Sequence, residues 1–162
     1  MDVPHAFRAP LKGGRPLKRW RYVGVFGDDL MACFGLVSVA EARRRYGVPQ
    51  NALDRLEEIG VLTPTAKGYD ADDVKIVEAI SRFRAGGYDE ALGFTVYDTL
   101  RYKEALSPLV EEEVRVLLER VAGEVSVDRA VEIIASGAEP LRDLIGAMHS
   151  KLLLAELRRQ RG

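Results

Sequence analysis

Between Val37 and Gly87 the chain is punctuated by residues that start and stop helices, at intervals too short for any long element. Ser38 and Glu41 make a capping box, in which a Ser oxygen and a Glu carboxylate each satisfy an orphan amide of a first turn opening at Val39. Gly47 ends that helix and Pro49 suits the start of the next. In the second segment Ala52, Leu53, Leu56 and Ile59 share one side before Gly60 stops it. Val61-Leu62-Thr63 reads as a short strand and Pro64 to Gly68 as the loop after it. Asp70 caps a third helix running to about Ala85, closed by Gly86-Gly87.

The flanking segments follow different rules. Residues 1–18 carry Pro4, Pro10, Gly13, Gly14 and Pro16 with no sustained period, which predicts a flexible arm. The first 21 residues are basic: Arg8, Lys12, Arg15, Lys18, Arg19 and Arg21 stand against Asp2 alone, although the whole chain has a net charge of -1. Such an arm suits a phosphate backbone, and equally a solvated end. Residues 19–36 read as a β-hairpin, with Trp20 to Phe26 and Leu30 to Leu36 as strands around Gly27-Asp28-Asp29. Residues 88–162 read as four helices. Thr95 and Ser107-Pro108 open two of them, Ser126 opens one ending at Gly137, and Pro140 opens the last. Val110, Val114, Leu117, Leu118 and Val121 form one apolar stripe, and Leu141, Ile145, Met148, Leu152 and Ala155 another. The fold class expected is therefore mainly α: a winged helix-turn-helix at 37–87, preceded by a hairpin and followed by an all-helical C-terminal domain.

Two short helices joined by a tight glycine turn hold the second helix at an angle that fits a DNA major groove. The residues that build this order also resemble the MerR-type transcription regulators. The matching residues are Gly47-Val48-Pro49, Ala52-Leu53-Asp54-Arg55-Leu56-Glu57, Ile59-Gly60-Val61-Leu62, Pro64, Gly68-Tyr69 and Gly87-Tyr88-Asp89, in register without a gap from Val39 to Leu62. The resemblance implies a regulator that binds double-stranded DNA as a homodimer through its C-terminal helices and senses a small organic effector. Its DNA-facing set would be Arg43, Arg44, Arg45, Gln50, Asn51, Arg55, Lys67 and Tyr69. The departures lie at those contacts. Asp54 stands where the family carries Arg, Asp70 follows Gly68-Tyr69 where the family carries Arg, and the wing is about three residues short.

Each basic residue also has a plainer explanation. Three arginines on a short amphipathic helix form a solvated face, and Gln50 and Asn51 are ordinary helix-start residues. A non-enzymatic protein-interaction module on a helix-turn-helix scaffold that has lost its DNA contacts stays open beside the regulator.

Enzymatic and metal chemistry are not expected. The chain has no glycine-rich phosphate loop, nucleophile elbow or HExxH run. Cys33, His5 and His149 are scattered without ligand spacing, so neither a metal nor another cofactor is expected. Glu111-Glu112-Glu113 fall in the first turn of the helix expected after Pro108, where the helix dipole favours carboxylates. The single cysteine, Cys33, sits in an apolar run as a small hydrophobe and fits a reducing, cytoplasmic setting. No apolar stretch reaches the roughly 20 residues that span a bilayer, and no signal peptide is evident.

Overall fold

The structure, a computed structural model, describes residues 36–162. The expected arm (1–18) and all but the last residue of the expected hairpin (19–36), with His5 and Cys33, lie outside the described residues. The described chain is mainly helical: α1 (Val39–Tyr46), α2 (Gln50–Glu58), α3 (Ala71–Ala85), two 3-10 turns (Glu90–Leu92 and Val96–Thr99), α4 (Leu100–Val121) and α5 (Val127–Arg161), with no strand among the described residues. It divides between Leu117 and Leu118 into two compact units.

In the first unit the helix ends fall where the punctuation predicts. Ser38 Oγ accepts the Glu41 amide at 3.1 Å, while the Glu41 carboxylate turns to Arg44 and Arg45 instead of closing the reciprocal half of the capping box. Gly47 takes the left-handed conformation (φ 65°) and donates to the Arg43 carbonyl at 2.8 Å. Pro49, with its fixed φ and no amide hydrogen to satisfy, occupies the N-cap of α2. The end of α2 is a Schellman motif: Gly60 (φ 68°) donates to Glu57 at 2.9 Å and Val61 to Leu56 at 2.9 Å. Asp70 Oδ1 caps α3 through the amides of Asp72 and Asp73.

Burying one stripe from each short helix makes the core. Ala42, Val48, Ala52, Leu53, Leu56, Leu62, Tyr69 and Val77 form it, with Val96 among the partly buried side chains packed against it. Ser81 of α3 donates 2.7 Å to the Tyr46 carbonyl at the end of α1, supplying one of the donors that a helix terminus lacks.

The expected wing takes a different form. No strand forms at Val61-Leu62-Thr63, because those amides are already engaged: Leu62 donates to the Leu56 carbonyl and Thr63 to the Asp73 carboxylate. What remains is a turn in which Thr65 and Gly68 exchange two 3.0 Å backbone bonds across Ala66-Lys67, and a single antiparallel bridge between Val37 and Tyr69. Gly68 (φ 121°) lies so close to the Val37 carbonyl that a Cβ would collide with it.

Beyond Gly87, two expected helix starts are overturned. Thr95 caps the 3-10 turn that precedes α4, with a capping box through Asp98. Pro108 lies inside α4 and Pro140 inside α5, so the four helices expected here are two. Each proline removes one helical donor, and both lie on exposed stretches where the carbonyl left behind is open to solvent. Gly137 likewise continues α5 rather than ending it, and Glu111 to Glu113 sit in mid-helix, where Glu112 pairs with Arg115.

In the second unit Leu118, Val121 and Ala130 are buried, Gly123 (φ 87°) makes the turn, and Ser126 Oγ caps α5 by accepting the Arg129 amide. From residue 135 to its end, α5 is exposed on every side.

Candidate nucleic-acid interface

With Leu53 and Leu56 turned into the core, helical geometry leaves Asn51, Asp54, Arg55 and Glu58 on the outer face of α2, and all four are exposed. Asn51 and Arg55 are one turn apart and lie side by side. Asp54 accepts a 2.7 Å hydrogen bond from the Gln50 amide, so the acid that replaces the family's arginine is engaged by its own helix. The outer face of α2 therefore carries one cation between two carboxylates.

Of the α1 arginines, Arg43 and Arg44 lie beside the start of α2, at Gln50. Arg43, Arg44 and Arg45 are all exposed, and Arg44 and Arg45 share the carboxylate of Glu41. Exposed pairs of this kind contribute little and are screened by salt. Among the described residues the side chains of Arg43, Arg55 and Lys67 have no ion-pair or hydrogen-bond partner. Val39, Ala40, Arg43, Arg44 and Gln50 line one shallow hollow where α1 meets the start of α2. Lys67 stands at the tip of the 65–68 turn, its backbone amide held by Thr65 Oγ1 at 3.2 Å.

Tyr69 belongs to the framework instead. It is fully buried, and its hydroxyl donates 2.6 Å to Glu57, so no surface ligand reaches it. Burial, and then the neighbouring Glu57 carboxylate, push its phenol well above the usual tyrosine range. Asp73, also buried, accepts the Thr63 amide at 3.1 Å through Oδ1, while Oδ2 has no partner. Burial raises its carboxyl, against the lowering effect of the Thr63 bond. No spacing rule in the sequence signals Asp73 as a carboxylate that reaches back to the loop after α2.

His149 is exposed on α5. Among the described residues no group of three or more His, Cys, Asp or Glu side chains is placed to hold a metal ion, and no helix is long and apolar enough to cross a membrane. No family model, curated protein or solved structure matches this chain.

Proposed function

We propose that residues 37–87 act as a MerR-like helix-turn-helix, with a short turn in place of the wing, that binds double-stranded DNA, in a cytoplasmic regulator working as a homodimer. The observation that carries this reading is the exposed, unpaired Arg55 beside Asn51 on α2, with Arg43 and Arg44 lining a hollow at the start of the same helix. In this reading α2 enters the major groove, Asn51 and Arg55 meet base edges, and the α1 arginines and Lys67 meet phosphates. Dimerisation draws support from α5, where Leu141, Leu144, Ile145, Met148 and Leu152 recur at seam-like spacing and are all exposed. A twofold dimer matches the symmetry of paired half-sites.

Fluorescence anisotropy with DNA from the protein's own promoter tests the proposal. Submicromolar affinity that falls steeply with salt is expected. Arg55→Ala should cost about 1–3 kcal/mol, and Arg43→Ala should lower the salt slope by about one. Undetectable or salt-insensitive binding overturns it. Ile145→Glu is expected to convert a dimer to a monomer by sedimentation.

One observation favours a second reading: Asp54 and Glu58 bracket Arg55, an arrangement that repels phosphate. A non-enzymatic interaction module would use the same scaffold against a protein partner. Affinity capture with and without nuclease separates the two, since a defined partner that survives nuclease, with no DNA enrichment, belongs to the module alone.

A further inference from the structure

Outside the candidate interface, the first unit contains a cavity of about 130 Å³ between the end of α3, the 3-10 turns and the start of α4. Its walls are rich in aromatic rings. Tyr88 meets Phe83 edge-on at a centroid distance of 5.3 Å and Phe94 at 4.9 Å, and Tyr102 closes the side formed by α4. These four rings are 39–53 % exposed, far more than aromatic side chains clustered around a filled core. The left-handed glycines Gly87 (φ 97°) and Gly93 (φ 81°) bring Tyr88 and Phe94 together.

Charge and size narrow what the cavity accepts. Arg84 pairs with Glu90 at 2.7 Å and Arg101 with Asp98 at 2.8 Å, so each charge at the rim already has its opposite. A charged ligand entering here would lose hydration and find no free counter-ion. An apolar cavity of roughly 150 Å³ is known to take a benzene-sized ring. Offset and edge-on contacts with the lining rings add to the burial of such a ligand.

We infer that this cavity is a binding site for an uncharged, single-ring aromatic molecule, and that its occupation is felt by α2. The coupling has two physical links. Val96, which lines the cavity, also packs on the core that holds Leu53 and Leu56, and the Val96–Thr99 turn touches α2 directly. Lys103, next to the lining residue Tyr102, donates a hydrogen bond to Ile59 at the end of α2. A ring seated against Val96 and Tyr102 holds both links in place. This regulatory role rests on the reading of α2 as the DNA-facing helix, whereas the binding site itself does not.

Saturation-transfer NMR on the full-length protein, with phenol as the probe and benzoate and benzyltrimethylammonium as charged counterparts, tests the site. Phenol is expected to receive saturation and the charged rings much less. Phe94→Ala should weaken phenol binding roughly tenfold, the loss of one ring–ring contact. Tyr102→Leu, at an exposed position of α4, gives the same readout should Phe94→Ala lose its helical circular dichroism. Absence of transfer to phenol, equal transfer to a charged ring, or unchanged binding in folded variants overturns the site. Hydrogen exchange is expected to slow across residues 50–58 as well as 88–103 when phenol is added, and slowing confined to 88–103 overturns the coupling. Neither readout involves DNA. A protein that binds phenol but no DNA sustains the site and overturns the proposed function.

Discussion

Lys103 Nζ, in the first turns of α4, donates a 2.8 Å hydrogen bond to the carbonyl of Ile59, 44 residues earlier. A cation at a helix C-terminus complements the macrodipole as well as an unpaired carbonyl, so this one side chain ties α4 to the end of α2. Lys103→Met keeps the aliphatic stem and removes charge and donor. It is expected to cost about 0.5–1 kcal/mol in urea unfolding and to speed amide exchange at 57–61. Unchanged exchange there would show that the contact does not anchor α2.

The buried Tyr69 hydroxyl and the Glu57 carboxylate, 2.6 Å apart, fasten the end of the 65–68 turn to α2. Tyr69→Phe leaves the carboxylate without its donor, at a cost of about 1.5–3 kcal/mol. The alkaline limb follows from the raised phenol. Below the ordinary tyrosine value of about 10 its contribution is fully present, and it is lost as pH rises beyond that toward the higher folded value. Urea midpoints measured between pH 8 and about 11 should therefore fall more steeply for the wild type than for Tyr69→Phe.

Asp73 predicts the opposite limb. Its carboxyl is raised in the folded state, so between its ordinary value of about 3.9 and the folded value the unfolded chain has already released the proton that the folded chain retains. This group's contribution is greatest below about pH 3.9 and declines as pH rises through the folded value. Asp73→Asn retains an acceptor for the Thr63 amide and is expected to flatten that slope at little cost near neutrality. Asp73→Ala orphans the amide and is expected to cost about 1–3 kcal/mol. Parallel slopes for wild type and Asn variant would contradict the assignment.

Gly68 and Gly47 both have positive φ, yet their surroundings differ. A Cβ at Gly47 meets nothing within 4 Å, whereas at Gly68 it runs into the Val37 backbone. Gly47→Ala should cost about 1–2 kcal/mol, the left-handed penalty alone. Gly68→Ala should cost about 3 kcal/mol or more, since the Val37–Tyr69 bridge must open as well. Thermal melts of the two variants measure the difference, and equal losses would mean that the bridge yields freely.

The framework of residues 37–87 was legible because its determinants are local. Ser38, Gly47, Gly60, Asp70 and Gly86 act on amides and carbonyls within a few residues of themselves. Pro108 and Pro140 misled because their effect depends on solvent: an exposed helix replaces a lost donor with water, and the sequence alone does not show which stretch stays exposed. The 61–63 segment misled because β-branched and apolar residues fit a strand, while their amides were claimed by Leu56 and Asp73 from neighbouring helices. Of the expected interface, Arg55 and Asn51 lie where helical periodicity puts them. Tyr69 does not, because its burial depends on Glu57 and the Val37 bridge. The rings of Phe83, Tyr88 and Phe94 follow no period, as glycine turns rather than helix geometry bring them together.

The two-residue tip at Ala66-Lys67 sets a limit on span. Two residues extend at most roughly 7 Å beyond the Thr65–Gly68 pair, and if α2 occupies a groove as proposed, that is too short for a ribbon that follows the duplex past it. A nuclease footprint for this unit would accordingly be narrow, centred on α2 with protection ending close to its two sides. Any wider protected tract would have to come from another stretch of polypeptide, and under the proposed function the site size on DNA would count how many separate segments take hold of it.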